Sequence, residues 1–228
     1  MGTYVMSDIH GEYDKFIKML ELIEFDAEDR LIVLGDVIDR GTRPIDILLY
    51  MMNSPNIEFI IGNHEKMMLR YLLSTGYDKH IELSTWISNG GGYTISQFNK
   101  LSKEEQVKIA RYLAKAPWYK VVDKYVLVHA GINTTGINRA GNIEDIMRIQ
   151  DEEDLLWSRE EFYEYPGVEG YTVIFGHTPT PNLRNKKEFS IWHDPIYKDK
   201  IGIDCGAVYE GGLLGCLRLE DMKEFYIK

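Results

Sequence analysis

Two carboxylates and a guanidinium fall close together in Gly35-Asp36-Val37-Ile38-Asp39-Arg40-Gly41, directly after the apolar run Leu31-Ile32-Val33-Leu34. Buried together, such charges cost energy unless they bind a metal or one another. Taken singly, either aspartate reads as a turn residue or as the cap of a following helix. Four more segments shift that balance, because each also follows an apolar run and opens a loop. They are Ser7-Asp8-Ile9-His10-Gly11, Gly62-Asn63-His64-Glu65, His129-Ala130-Gly131 and Phe175-Gly176-His177-Thr178. Pooled, they offer carboxylates, imidazoles, a carboxamide and an arginine. That mixture of oxygen and nitrogen donors suits two divalent metals sharing a carboxylate. No thiolate takes part, which argues against a structural zinc site. His64-Glu65-Lys66-Met67-Met68 is not the His-Glu-x-x-His of a zincin, and no Walker loop or Gly-x-Gly-x-x-Gly is present.

These loops need a scaffold that gathers them. Thr3 to Ser7, Leu31 to Leu34 and Ile57 to Ile61 read as short strands. Between them, Phe16, Met19, Leu20 and Ile23 recur at helical spacing. Pro44 suits the first turn of a second helix with Ile45, Leu48, Leu49 and Met52 on its apolar face. This alternation predicts a parallel α/β core, in which loops leaving the C-terminal strand ends share one crevice. From His64 to Pro117 the pattern turns helical, with Met67, Met68, Tyr71 and Leu72 first and a Ser102/Glu105 capping box opening a helix to Lys115. One domain over residues 1–228 is therefore expected, with a helical insertion around 64–117. Strands are predicted again at Tyr125 to Val128, Thr172 to Phe175, Phe189 to Trp192, Ile201 to Asp204, Leu213 to Leu219 and Phe225 to Ile227. One helix carrying Ile146, Ile149 and Leu155 is expected between the first two of these.

Composition sets the outer bounds. A hydrophobic fraction of 44% with 12% aromatics excludes a disordered chain. The net charge of −10 disfavours nucleic acid or an anionic membrane as partner. Apolar runs are strand-sized, so no membrane-spanning helix is expected. Met1 to Met6 lacks the basic and apolar regions of a signal peptide, and Met6 stands where a myristoylation motif wants Ser or Thr. Cys205 and Cys216 lie outside any Cys-x-x-Cys pattern and read as buried, reduced thiols of a cytoplasmic protein.

In this order, Asp-x-His-Gly, Gly-Asp-x-x-Asp-Arg-Gly, Gly-Asn-His-Glu, His-Ala-Gly and Gly-His resemble the phosphoprotein phosphatase family of calcineurin-like metallophosphoesterases. Chain length, Trp86…Asn89-Gly90-Gly91-Gly92 and Trp157-Ser158-Arg159-Glu160 resemble its small bacterial and lambda-type phage members. The resemblance implies an αββα sandwich of two mixed β-sheets flanked by helices. It implies a binuclear-metal-dependent phosphomonoesterase, foremost a serine/threonine protein phosphatase that also admits phosphotyrosine, with phosphorylated proteins or peptides as partners. A symmetrical dinucleoside tetraphosphatase acting on diadenosine tetraphosphate is the alternative, and a non-enzymatic metal-binding module a third reading. By the same resemblance Asp8 and His10 hold a first metal, Asp36 bridges, and Asn63, His129 and His177 complete a second. His64 becomes the general acid, with Asp39 orienting its ring and raising its pKa, while Arg40 and Arg159 bind phosphate. Manganese is the foremost metal, with iron or zinc admissible to the same donors.

Each residue also has a plain structural reading. Asp8 can be a strand-end turn residue, Asn63 a helix cap, and His129 and His177 core histidines bonded to backbone. Arg159 can sit in a surface ion pair, Glu65 can be a charge at a helix N-terminus, and Asp194 a turn residue. Two departures from the family pattern stand out. Ser7 occupies a position where many relatives have Gly, and the Ser-Ala-Pro-Asn-Tyr-Cys segment of eukaryotic members is absent, with Ile203-Asp204-Cys205-Gly206-Ala207 in its general region.

Overall fold

Strand, helix, strand, helix, strand open the chain as the spacing predicts: β1 (Thr3–Met6), α1 (Tyr13–Leu22), β2 (Arg30–Val33), α2 (Pro44–Met52) and β3 (Ile57–Phe59). The computed structural model describes every residue except Asn185, and Glu161 through its backbone alone. Pro44 does open α2. Between β3 and the next strand run α3 (Asn63–Leu73), α4 (Gly76–Ser88), α5 (Gly92–Phe98) and α6 (Lys103–Lys115). The Ser102/Glu105 capping box starts α6 as expected. The second half contains β4 (Tyr119–Val122), β5 (Tyr125–Val128), α7 (Ile143–Arg148), α8 (Glu152–Trp157), α9 (Glu160–Tyr163), β6 (Thr172–Phe175), α10 (Thr180–Arg184), β7 (Trp192–His193), β8 (Lys200–Gly202), β9 (Leu214–Arg218) and β10 (Lys223–Ile227).

The strands form two five-stranded sheets, ordered β10-β9-β1-β2-β3 and β4-β5-β6-β8-β7. Each has three parallel strands with antiparallel neighbours: β1, β2 and β3 in one, and β5, β6 and β8 in the other. Side-chain alternation decides what each face meets. Val5, Ile32 and Leu217 of the first sheet pack with Leu127, Ile174 and Ile201 of the second. Their neighbours Tyr4, Met6, Leu31 and Val33 join the helix-side core with Phe16, Ile47 and Leu48. The result is the expected sandwich of two mixed sheets between helices. A fully buried aliphatic side chain contributes roughly 1.5–3 kcal/mol, so the strands need little length to hold.

Two expectations need correction, and one strand was missed. The single helix assigned to Ile146, Ile149 and Leu155 is two short ones, with a third, α9, following before β6. Ile149 ends α7 as an exposed C-cap residue, and Asp151 caps a new helix, α8, that carries Leu155. β4 escaped the pattern because all four of its residues are only half-buried at a sheet edge. The strand expected from Phe189 is bonded only over Trp192–His193. Asp194 does cap a local turn, accepting the Ile196 N–H, but it is also buried against the Lys200 ammonium at 3.3 Å. Cys205 and Cys216 are buried free thiols, as expected. No helix of the described residues is long and apolar enough to cross a membrane.

Candidate metal centre and active site

The parallel strands deliver the motif loops from their C-terminal ends. β1 leads to Asp8 and His10, β2 to Asp36, Asp39 and Arg40, and β3 to Asn63 and His64, all on the first sheet. From the second sheet, β5 leads to His129 and β6 to His177. The site therefore straddles the seam between the sheets. Backbone and side-chain bonds cross it, with His129 Nδ1 donating to the Leu34 carbonyl at 2.7 Å and the His177 N–H to Asp8 Oδ2 at 2.9 Å.

Asp36 is the common point. Its Oδ2 lies 3.6 Å from His10 Nε2 and 3.8 Å from His64 Nε2, while its Oδ1 lies 3.5 Å from His129 Nε2. Two clusters able to hold a metal result, His10–Asp36–His64 and Asp36–His129–His177. Asp8 Oδ1 stands 3.9 Å from His10 Nε2, and Asn63 Oδ1 lies 2.8 Å from His129 Nε2 and 3.1 Å from His177 Nδ1. All six residues expected as ligands thus converge, and His64, expected as the proton donor, is itself a member of the first cluster.

The donor set fits divalent cations on its own terms. His10 and His129 commit their Nδ1 protons to the carbonyls of Ile38 and Leu34, which leaves a lone pair on each Nε2. The His129 lone pair faces Asn63 Oδ1, so two acceptors point at one another. His177 Nε2 is buried without a hydrogen-bond partner among the described residues. Burial pushes the four imidazoles His10, His64, His129 and His177 below their ordinary range. Burial, with Asp8 and Glu65 nearby, raises Asp36 well above the usual carboxylate range. A cation relieves both tendencies at once, accepting the lone pairs and offsetting the carboxylate charge.

The loops are held in unusual shapes. Asp8, His10, Asp36, Asp39, Arg40 and His177 all adopt positive φ, between 46° and 70°, where non-glycine residues carry about 1–3 kcal/mol of strain each. Glu65 repays part of this for the Asp36 loop. Its buried carboxylate accepts the backbone N–H groups of Asp36 and Val37 at 2.9 Å, of Ile38 at 3.2 Å and of Gly62 at 3.1 Å. Burial raises its pKa to about 7. Close approach explains two glycines. A Cβ on Gly62 would collide with Asp36 Oδ1, and one on Gly176 with Ser7 Oγ and Asp8 Oδ2. The Ser7 hydroxyl donates to Asp8 Oδ2, the oxygen that also accepts from His177.

On the far side of its ring from Asp36, His64 Nδ1 donates to Asp39 Oδ2 at 2.7 Å, with both side chains buried. The contact expected between Asp39 and the His64 ring is present, but the surroundings outweigh it in setting the imidazole's pKa. Burial, Arg40 and His129 lower His64 well below its ordinary value, and burial lifts Asp39 itself to about 7, which weakens it as a counter-charge. Arg40 lies against the rings, 2.8 Å from His10 Nε2 and 3.1 Å from His64 Nε2. Arg159 lies by His177, donating to Thr178 Oγ1 at 3.2 Å, and its charge adds to burial and His129 in depressing His177.

Sequence reasoning missed Asp204. It is buried just past β8, the sixth parallel strand, and raised by burial and by Asp8. Its placement after a strand was the available signal, since no histidine or arginine adjoins it. It missed Thr94 as well, whose hydroxyl donates to Asp39 Oδ1 at 2.5 Å.

A family model described as calcineurin-like phosphoesterase matches residues 1–204. The chain is 29% identical over 228 residues to serine/threonine-protein phosphatase 1 of Salmonella typhimurium, covering 96% of this chain and 92% of that protein. It is 27% identical over 158 residues to a symmetrical bis(5'-nucleosyl)-tetraphosphatase of Methylococcus capsulatus, covering 66% of this chain and 52% of that protein. With the asymmetrical bis(5'-nucleosyl)-tetraphosphatase PrpE of Bacillus velezensis it shares 23% identity over 244 aligned positions, covering 94% and 88%. Since the family match takes in all five motif loops and the parallel strands of both sheets, the chain belongs to the calcineurin-like phosphoesterases, whose members bind a dinuclear divalent metal site.

Proposed function

We propose that the chain is a metal-dependent phosphomonoesterase acting on phosphoseryl and phosphothreonyl groups of proteins or peptides, with phosphotyrosyl groups also within its reach. The observation that carries this reading is one loop serving two tasks. Asp36 faces both ligand clusters, and Asp39, from the same loop, meets the His64 ring at 2.7 Å. Similarity over 92% of a serine/threonine-protein phosphatase supports the choice of substrate class.

Metals held by Asp8, His10 and Asp36, and by Asp36, Asn63, His129 and His177, would acidify a water and clamp the phosphoryl oxygens, with manganese foremost and iron or zinc compatible. The protein's own groups do the rest. Arg40 stands by His10 and His64 and Arg159 by Thr178, and a planar guanidinium meets two phosphate oxygens at once. An arriving phosphate dianion would offset the charge of Arg40, which stands 3.1 Å from His64 Nε2. The Asp39–His64 pair can then hold a proton on Nε2. As the bond from phosphorus to the seryl oxygen breaks, its electron pair stays on that oxygen and His64 Nε2 supplies the proton. A positioned acid of this kind contributes roughly 10²–10⁴-fold for a poor leaving group.

A second reading, hydrolysis of dinucleoside tetraphosphates, draws on the similarity to the symmetrical and asymmetrical tetraphosphatases. The deciding measurement compares kcat/KM for a phosphoserine peptide and for diadenosine tetraphosphate with manganese present. Preference for the peptide is expected. Strong preference for the dinucleotide replaces the first reading with the second, and loss of both activities in metal-loaded protein leaves only a binding module.

A further inference from the structure

Asp39 is held from more directions than a ring-orienting aspartate needs. Its Oδ2 accepts the His64 Nδ1 proton and, at 2.8 Å, the indole N–H of Trp86. Its Oδ1 accepts the Thr94 hydroxyl, and its own backbone N–H donates back to Thr94 Oγ1 at 3.0 Å. Asp39, Trp86 and Thr94 are all fully buried. Both partners come from the helical segment between β3 and β4, Trp86 from α4 and Thr94 from α5.

The local architecture around these contacts is built for them. Trp86 is the only fully buried residue of α4, so that helix delivers one indole into the core. Gly91 lies against the indole, where a Cβ would stand 2.7 Å from Nε1, and Tyr71 packs on the other ring system at 5.5 Å. Between α4 and α5 the carbonyl of Gly90 accepts the Arg40 N–H at 3.0 Å. Asp39 and Arg40 are consecutive left-handed residues, at φ 70° and 66°, a conformation that persists only where surrounding contacts over-determine it. Asp39 anchored by Trp86 and Thr94, and Arg40 by Gly90, meet that condition.

We propose that Trp86 and Thr94 are positioning residues that lock the Asp39 carboxylate in the one orientation that holds the His64 ring, and thereby set how strongly the reaction rate depends on its leaving group. The proposal rests on the reading of His64 as the proton donor. The helical segment then has a catalytic consequence although neither Trp86 nor Thr94 touches substrate. Loss of either contact frees the carboxylate to rotate, and the imidazole with it. Hydrolysis of an alkyl phosphate suffers because its alkoxide must be protonated, whereas p-nitrophenolate leaves without help.

The test measures kcat for a phosphoserine peptide and for p-nitrophenyl phosphate in Thr94→Val, Thr94→Ser, Trp86→Phe, His64→Asn and the Thr94→Val/His64→Asn double variant, with bound metal quantified in each. Thr94→Val and Trp86→Phe are each expected to slow the peptide about 10–100-fold, a common scale for an outer hydrogen bond to a site residue. p-Nitrophenyl phosphate should slow less than threefold, with KM and metal content unchanged. Thr94→Ser, which keeps the hydroxyl, should restore peptide turnover, and Thr94→Val should add little to His64→Asn because the two act through one proton. Equal slowing of both substrates by Thr94→Val, loss of metal, or full additivity with His64→Asn overturns the proposal while leaving the proton donor in place. If His64→Asn itself slows both substrates equally, the proton-donor reading falls, and the proposal with it. Should Trp86→Phe fail to fold, the three Thr94 comparisons still decide.

Discussion

Glu65 and Asp36 are tied by a 2.9 Å hydrogen bond from the Asp36 backbone N–H to Glu65 Oε2, across 29 residues of sequence. The same carboxylate spans Val37, Ile38 and Gly62, so a glutamate in the first turn of α3 shapes the loop that follows β2. Glu65→Gln replaces one acceptor oxygen with a donor amide that faces N–H groups. With two donors left unsatisfied at about 1–3 kcal/mol each, a fall in Tm of about 5–20 °C is expected by calorimetry. An unchanged Tm would mean that the loop keeps its shape without these bonds.

Asp36→Asn is expected to abolish metal binding and turnover together, because both ligand clusters use this carboxylate. Metal analysis after gel filtration, paired with phosphate release, checks it. Full retention of metal with no activity would separate Asp36 from the ligand set.

Ser7→Ala removes one of two donors from Asp8 Oδ2 and leaves only the His177 N–H. Metal affinity measured by chelator competition is expected to weaken about 10–100-fold. Turnover at saturating metal should stay near the parent value, since Ser7 does not reach substrate in this arrangement.

Cys205 and Cys216 have thiols pushed up by burial, far from the reactive range. Neither is expected to react with an aromatic disulfide reagent at pH 8 in the folded protein, and both should react once it is denatured. Rapid titration of a thiol in the native state would show that the sheet around it opens readily.

Lys200 is fully buried at the start of β8, with Asp194 at 3.3 Å and Asp199 at 2.5 Å. Lys200→Met strands the buried Asp194 carboxylate, and a loss of about 3–5 kcal/mol is expected in denaturant unfolding. Adding Asp194→Asn should recover part of it. Because the site lies beyond the other end of β8, kcat/KM of the surviving folded protein should not change.

The sequence told different things about different parts of this molecule. Asp8, His10, Asp36, Asn63, His129 and His177 were legible because residue type and placement after a strand agreed, and the structure brings them together. β4 was obscured by half-burial, and α4 because a helix with one buried residue leaves no apolar stripe. Ile149 has the spacing of a core residue but caps a helix end in solvent. The reach of Glu65 and the hold of Thr94 on Asp39 depend on contacts across 29 and 55 residues, which periodicity cannot carry. The lowered pKa of His64 follows from the depth of its burial, which a motif does not state.

The seam between the sheets has a mechanical meaning. Asp36 from one sheet and His129 from the other lie 3.5 Å apart, so any ion they share works as a rivet between two separate sheets, added to the few hydrogen bonds that cross the seam. Tension runs both ways through a rivet. Trimming an apolar side chain deep in the joint, such as Ile174→Val, should register as weaker metal binding at a distance to the extent that the two are coupled, and bound metal should offset the loosening by that same coupling free energy. Chelation, in turn, should speed amide exchange at His177 and Leu34 while leaving the middle of each sheet protected. The chemistry of the site and the cohesion of the fold would then be one property measured in two places.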